Sequence, residues 1–351
     1  MDFTFSDDQL TFREAISRFL MTEAAPEMLR EIWETDVGRS PDLRNKIAEQ
    51  GLTALSVPEA SGGLGMDDVA WSLMTQELGY YAIPDSLADT AYVACALIAG
   101  LPASVFKRGE WLAGIADGSL RVAVGHPVNP WVADAGHADL LLLAHGDEVH
   151  AVPRSLVDVH HLTSLDASRR LAQVSWQPSA ATLVAEGQLG RTLWAHTLSR
   201  GALSVAGQLL GLAQRMLDLS VDYTAQRKQF GKPIGSFQAV KHHLADVATQ
   251  LEFAKPVLYR AAYALAQGQS TAHVWVSQAR LACCEAAWLA ARHGIQVHGA
   301  MGYTWEVDLQ MFMKRAWALD NAWGDRALHK ARVAAHVLSG APLGPGHTFE
   351  E

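Results

Sequence analysis

Residues 223–246 read YTAQRKQFGKPIGSFQAVKHHLAD, and here Arg227, Lys228 and Lys232 gather around Phe230 and Gly231, just ahead of a helix expected to start at Ser236. Guanidinium, backbone amides and a helix N-terminus converge, as the binding of a phosphate-bearing anion requires. The competing reading is a solvated basic loop. A second stretch, QVHGAMGYTWE at 296–306, interrupts a helical pattern with Gln296, Gly299 and Gly302, where missing Cβ atoms let a ligand approach the backbone. A third, LDNAWGDR at 319–326, holds Trp323 between Asp320 and Asp325. An indole N–H only donates, so Trp323 can fill a pocket but cannot take a proton, whereas an aspartate can. On a helix Asp320 and Asp325 point about 60° and 160° from the Trp323 direction, which makes Asp320 the better-placed base. The plain reading of both is helix-end solvation or an ion pair.

The remaining polar signals are weak. His145, His150, His160 and His161 show no i, i+4 pairing and no acidic partner set, so no metal site is expected. Cys95, Cys283 and Cys284 have neither metal spacing nor an even disulfide framework and read as buried apolar residues. The loop VPEASGGLG, with Gly62, Gly63 and Gly65, reads as a tight turn before it reads as a phosphate cradle.

Three regions position these residues. Up to about residue 118 the pattern is helical, with Ser40-Pro41-Asp42 as a cap, Gly51 as a stop, and a further helix opening at Asp67 or Asp68 and running toward Gly79. From 119 to 188 the runs LRVAV, DLLLLAH, EVHAV and RLAQVSW are short and separated by Gly, Pro and Asp, the punctuation of strands, with 145–147 as a hairpin turn. From 189 to 351 helices return. Val240, Leu244, Val247, Leu251, Ala254, Leu258, Ala261 and Leu265 draw one apolar seam, and Trp275, Ala279, Ala282, Ala286 and Leu289 draw another. The expected architecture is mainly α, with a small β domain between an N-terminal helical domain (1–118) and a C-terminal helical bundle (189–351).

With 28 basic against 37 acidic residues the chain carries a formal charge of −9, which argues against a nucleic-acid or anionic-membrane surface while leaving room for one local anion site. The first residues lack the basic-then-apolar order of a signal peptide, and no apolar run approaches the roughly 20 residues that span a bilayer. Cytoplasmic residence is expected.

RKQFGKPI followed by QVHGAMGYTWE closely resembles the acyl-CoA dehydrogenase family, and the PE-x-x-GGLG loop and the order of regions agree, so the resemblance spans essentially the whole chain. It implies an N-terminal helical domain, a middle β domain and a C-terminal four-helix bundle. It further implies that Arg227, Gln229, Phe230, Gln238, Gln296 and Gly299 reach across a subunit interface to the adenosine and pyrophosphate of a neighbour's FAD.

The departures from the family pattern fall on the other half of its site. In place of the Thr-Glu-Pro-x-x-Gly-Ser-Asp and Trp-Ile-Thr motifs that face the flavin ring, this chain has GHPVNPWVAD at 125–134, in a β region of about 70 residues. The family's glutamate base follows the Gly-Tyr of the glutamine motif at a fixed distance, and counting from Gly302-Tyr303 reaches Trp323, then Gly324. Relatives that keep the base earlier place it ahead of a turn that here reads GQLLGLAQ, and counting back from Gly211 reaches Gly201. Neither position has a carboxylate. The resemblance is therefore to the smaller, non-catalytic subunits of bacterial heterotetrameric acyl-CoA dehydrogenases, some acting on steroid side-chain thioesters. It implies no catalytic residue here, an FAD shared with and mainly held by a base-containing partner (α2β2), an acyl-CoA substrate and a separate electron acceptor. Two alternatives are a homo-oligomeric enzyme with its base relocated to Asp320, and a non-enzymatic scaffold.

Overall fold

The computed structural model describes residues 4–35 and 39–341; the first three residues of the acidic opening and the end of the chain lie outside them. Six α-helices come first among the described residues: α1 (Asp7–Glu23), α2 (Pro26–Glu34), α3 (Pro41–Glu49), α4 (Asp68–Tyr80), α5 (Cys95–Ala99), which continues a π-helical segment Asp89–Ala94, and α6 (Arg108–Ala116). Seven strands follow: β1 (Val122–Gly125), β2 (Val132–Ala133), β3 (Leu140–His145), β4 (Glu148–Pro153), β5 (Asp158–Leu162), β6 (Leu171–Ser175) and β7 (Leu183–Ala185). The remainder is helical: α7 (Gly187–Gln226), α8 (Gln238–Ala266), α9 (Ala272–His298), α10 (Leu309–Leu319) and α11 (Arg326–Leu338), with the short ribbon β8 (Lys228–Gln229) and β9 (Lys232–Pro233) between α7 and α8.

Local chemistry accounts for the ends of these elements. Ser6 and Gln9 cap α1 reciprocally, and Ser40 caps α3 through the Leu43 amide with Pro41 in the first turn. In the 57–65 loop, Gly63 donates to Pro58 O, Gly65 to Val57 O and Leu64 to Ala54 O, so the loop closes on its own backbone. A Cβ on Gly63 would sit 1.9 Å from Val57 O, which makes glycine obligatory there for packing.

Two compact units emerge: Met1–Pro26, Asp68–Ile83 and Ala202–Glu351 in one, Glu27–Asp67 and Pro84–Gly201 in the other. Compaction thus divides the N-terminal helices between both units and assigns α7 to each in part.

The second unit contains the strands. One sheet runs β1-β3-β4-β7 with β1 parallel to β3, the other β2-β6-β5. A core of Ala123, Val132, Leu141, Leu143, Val152 and Ala172 fills it, with Trp176 packed alongside.

In the first unit α4 is buried along almost its whole length and packs against α1, α7 and α8. Its approach to α7 is backbone to backbone. A Cβ on Gly211 would lie 1.9 Å from Gln76 O, one on Gly207 1.9 Å from Thr75 Oγ1, and one on Gly79 2.1 Å from Gln208 O. This contact explains the glycine spacing of GQLLG. Gly211→Ala is expected to lower stability by about 1–3 kcal/mol, toward the upper end because the obstacle is main chain, as read from the urea midpoint.

The α8 seam is buried at Val247, Leu251, Ala254, Leu258 and Ala261, and half-buried at Val240, Leu244 and Leu265. On α9 the expected stripe is corrected: Trp275, Ala282 and Leu289 are only half-buried, while Cys283, Ala287 and Ala290 join Ala279 and Ala286 inside. The reason is that α9 is packed by α8, α10 and α11 together, so no single stripe describes it. Among the described residues no helix is long and apolar enough to cross a membrane.

Candidate cofactor-supporting site

Arg227 directly follows α7, and the next six residues fold back as β8 and β9 around Phe230 and Gly231, with φ of 52° and 80°. Positive φ at both central positions is the signature of a type I′ turn, which suits glycine well and phenylalanine poorly. Phe230 is nevertheless 91% exposed. Its ring meets Phe237 edge-on at 6.1 Å, and the Lys232 ammonium lies over the Phe237 ring at 4.5 Å. Arg227, Lys228, Gln229 and Gln238 are exposed as well. The expected Ser236 helix start is corrected. The Ser236 hydroxyl donates to Pro233 O, and α8 begins at Gln238 after Phe237, whose apolar side chain leaves the first turn without a side-chain cap.

The second stretch comes to the same neighbourhood. Tyr223 on α7 stacks on His298 at the end of α9, with ring centroids 4.1 Å apart, and its hydroxyl donates to His298 O. The ribbon after α7 and the exposed Gln296 and Gly299 are thereby tied together across about 70 residues of sequence. Gly299 ends α9 with φ 63° and ψ −142°, a conformation in practice restricted to glycine. Exposed cationic, aromatic and amide groups thus share one end of the bundle, a donor set suited to a nucleotide pyrophosphate and base.

Residues 320–325 form a turn, so the helical angles expected for Asp320 and Asp325 do not apply. Trp323 adopts φ 56°, Gly324 φ 93°, and Asp325 caps α11 through the Leu328 amide. Trp323 is 4% exposed. Arg280, fully buried on α9, donates to the carbonyls of Leu319 at 2.9 Å and Asp320 at 2.7 Å, fixing the turn from beneath. His329 fixes it from α11, its Nε2–H donating to Trp323 O at 3.1 Å while Nδ1 faces Ser277 Oγ.

Asp320 is fully engaged. Trp288 Nε1 donates to it at 2.7 Å and Arg326 Nε at 3.0 Å, Cys284 Sγ donates as well, and Arg280 Nη1 lies 3.6 Å away. Burial alone would raise its pKa, yet the Cys284, Arg326 and Trp288 hydrogen bonds and the Arg280 charge hold it below the ordinary aspartate value. A carboxylate so held is a poor proton acceptor. Arg280, Trp288 and His329 escaped the sequence reading, since an arginine amid alanines on a helix reads as a surface residue, and Cys284, read as buried, gave no sign of its bond to Asp320. Gly201, where the resemblance implies the alternative base position, lies buried within α7.

Burial, reinforced by the Arg280 charge, pushes the His329 pKa down from 6.5 to about 4. A basic group depressed on folding binds its proton more readily in the unfolded chain. Its contribution is therefore complete above pH 6.5 and is lost as pH falls toward 4, by about 3 kcal/mol in all. Thermal unfolding across this range should show the decline, and His329→Gln should flatten it.

In the β-bearing unit a cavity of about 460 Å³ is lined by Gly125, His126, Trp131, Leu143 and Trp176 among others, within the size range of ligand pockets. The His126 ring is committed to the protein: Nε2 bonds Trp194 O at 3.0 Å and Nδ1 accepts from the Val128 amide at 3.0 Å. The fit to FAD is therefore one-sided. The ribbon and the α9 end present exposed groups that could hold an adenosine and pyrophosphate, while the GHPVNPWVAD segment commits its imidazole elsewhere.

One expectation about this unit is corrected. His145 and His150 do have an acidic partner, Glu148, because strand pairing sets residue 145 opposite 148 and pleating sets 148 and 150 on one face. Helical spacing does not describe a partner set brought together across a hairpin.

Family models for the acyl-CoA dehydrogenase N-terminal domain and C-terminal domain match residues 6–119 and 189–338. The chain is 32% identical over 335 residues to acyl-CoA dehydrogenase IpdE2 of Mycolicibacterium smegmatis, covering 95% of this chain and all of the relative. Among solved structures it is similar to the ChsE4–ChsE5 complex from Mycobacterium tuberculosis (TM-score 0.86, 22% identity, 97% of this chain and 100% of the other). It is also similar to the Tcur3481–Tcur3483 steroid ACAD (TM-score 0.84, 20% identity, 95% and 99%). At these identities the structural likenesses establish the fold alone. With both terminal domains matched and a full-length relative above 30% identity, the chain belongs to the acyl-CoA dehydrogenase family.

Proposed function

We propose that this chain is the base-less supporting subunit of a heteromeric acyl-CoA dehydrogenase. The observation that carries the reading is Trp323: counting from Gly302-Tyr303 puts it where the resemblance implies the family's glutamate, it is closed off from solvent, and of its flanking carboxylates Asp320 is held by Arg326 and Trp288 while Asp325 caps α11. The exposed Arg227, Phe230 and Gln296 support the complementary half, in which this chain completes an FAD site held mainly by a homologous partner. Arg227 would neutralise pyrophosphate charge and Phe230 would bury its exposed ring on association. FAD, held in part by Arg227, Phe230 and Gln296, would supply the hydride-accepting chemistry of acyl-CoA α,β-dehydrogenation, and the base for the α-proton would come from the partner. A bulky acyl group such as a steroid side chain is part of the proposal by analogy with the small-subunit resemblance alone.

The test is the visible flavin absorbance of this chain alone, and then co-expressed with a base-containing homologue. A colourless chain and a yellow complex with about one flavin per pair are expected. Stoichiometric flavin on the lone chain would instead return the reading to a homo-oligomeric enzyme, and a colourless complex would reduce the chain to a scaffold.

A further inference from the structure

Within the β-bearing unit, the turn between β3 and β4 gathers His145, Glu148 and His150, and the three ligand atoms lie within 4.8 Å of one another. His145 Nδ1 is 2.8 Å and His150 Nε2 3.0 Å from the same oxygen, Glu148 Oε2. We infer that this trio is a divalent transition-metal site, taking zinc or a similar late first-row cation through two imidazoles and one carboxylate, with its remaining positions open to water.

Three features make this a built arrangement. The first is register. The turn residues are Gly146 and Asp147, the former at φ 59°, so His145 and Glu148 face each other and His150 follows on the same side. Second, the groups behind the trio are fixed. His150 is buried, its ring 4.9 Å from that of Trp176, and Trp194 Nε1 donates to Glu148 O at 3.0 Å. Third, the outer hydrogen bond has the right polarity. Thr182 Oγ1 lies 2.9 Å from His150 Nδ1 and donates to Ser179 O. With a cation in place and the Thr182 proton on Ser179, Nδ1–H donates to Thr182 and the Nε2 lone pair is freed for the metal, the orientation of a ligating histidine supported from behind.

Without a cation the two imidazoles satisfy Glu148 by donating N–H bonds to it. Binding needs no net proton loss: each ring moves its proton to the other nitrogen, and the cation replaces both hydrogens between ring and carboxylate. Ligand atoms about 3.4 Å apart suit metal–ligand bonds near 2.1 Å, so the two nitrogen–oxygen separations of 2.8 and 3.0 Å must open by about half an ångström while the two nitrogens stay within 4.8 Å of each other. Side-chain exposure falls from 63% at His145 to 34% at Glu148 and 2% at His150, so the open positions face solvent from the His145 side. Nitrogen and carboxylate donors favour zinc, cobalt or nickel over calcium and magnesium.

The experiment is titration of the full tag-free chain with Co²⁺, followed by its visible ligand-field bands, and displacement by Zn²⁺. One equivalent should bind, and Zn²⁺ should raise the melting temperature in a concentration-dependent way. His145→Ala and Glu148→Gln, both at solvent-accessible positions, should each weaken binding by at least about tenfold, since even supporting groups behind a ligand contribute that much. His160→Ala, on the exposed strand β5, should leave it unchanged. Failure to bind a stoichiometric cation, or binding that both His145→Ala and Glu148→Gln leave intact, would overturn the site.

Discussion

Replacing Arg227 with alanine is expected to strip flavin from the assembled complex while leaving this chain folded. A charge-assisted hydrogen bond to an anionic partner is worth about 1.5–3 kcal/mol, so FAD affinity should fall roughly 10- to 100-fold. Phe230→Ala should act in the same direction through lost apolar contact. Both side chains are exposed on a two-residue ribbon, so the melting temperature of the lone chain should hardly change. The readout is the flavin-to-protein ratio of the complex after dilution and gel filtration. Equal flavin retention in wild type and both variants would mean that the exposed ribbon serves some other contact, and the shared-site reading would fail.

Asp320→Asn is expected to lower stability by about 3–5 kcal/mol, because it leaves Arg280 buried and Arg326 half-buried beside a neutral group. Turnover per folded complex should be unchanged. A relocated base predicts the reverse, a roughly hundred- to ten-thousandfold loss of turnover with little structural cost. Denaturant midpoints and single-turnover rates on the same preparations separate the two. The acid limb gives a further check. Since Asp320 is held below the usual aspartate pKa when folded, its stabilisation is present above the ordinary carboxylate range and disappears only as pH falls through its lowered value. Acid unfolding should therefore proceed in two stages, His329 first and Asp320 below it, and the second stage should vanish in Asp320→Asn.

Much of this protein was determined by local pattern. The Ser40-Pro41 cap, the closed glycine loop at 57–65, the strand punctuation and the α8 seam follow from backbone geometry and from apolar periods that a few neighbouring residues set. The residues proposed for the supporting half were legible for the same reason, since RKQF and QVHGAMG are contiguous stretches whose residue types suit anion and backbone contacts. The absence of a carboxylate at residue 323 was equally a matter of chain order.

Tertiary structure alone decided what surrounds these residues. Whether Asp320 was available depended on Cys284 and Trp288, which lie 36 and 32 positions earlier in the chain and act on it across the packing of α9 against the 320–325 turn. The stripe on α9 was misjudged because burial from three directions erases a single apolar face. The histidines at 145 and 150 looked unpartnered because their partner lies across a hairpin, where strand register replaces sequence spacing as the rule of proximity. Sequence separation predicts contact within a helix or a turn, whereas between elements contact is set by packing, and the polar groups that settle a proton's location are drawn from several elements at once.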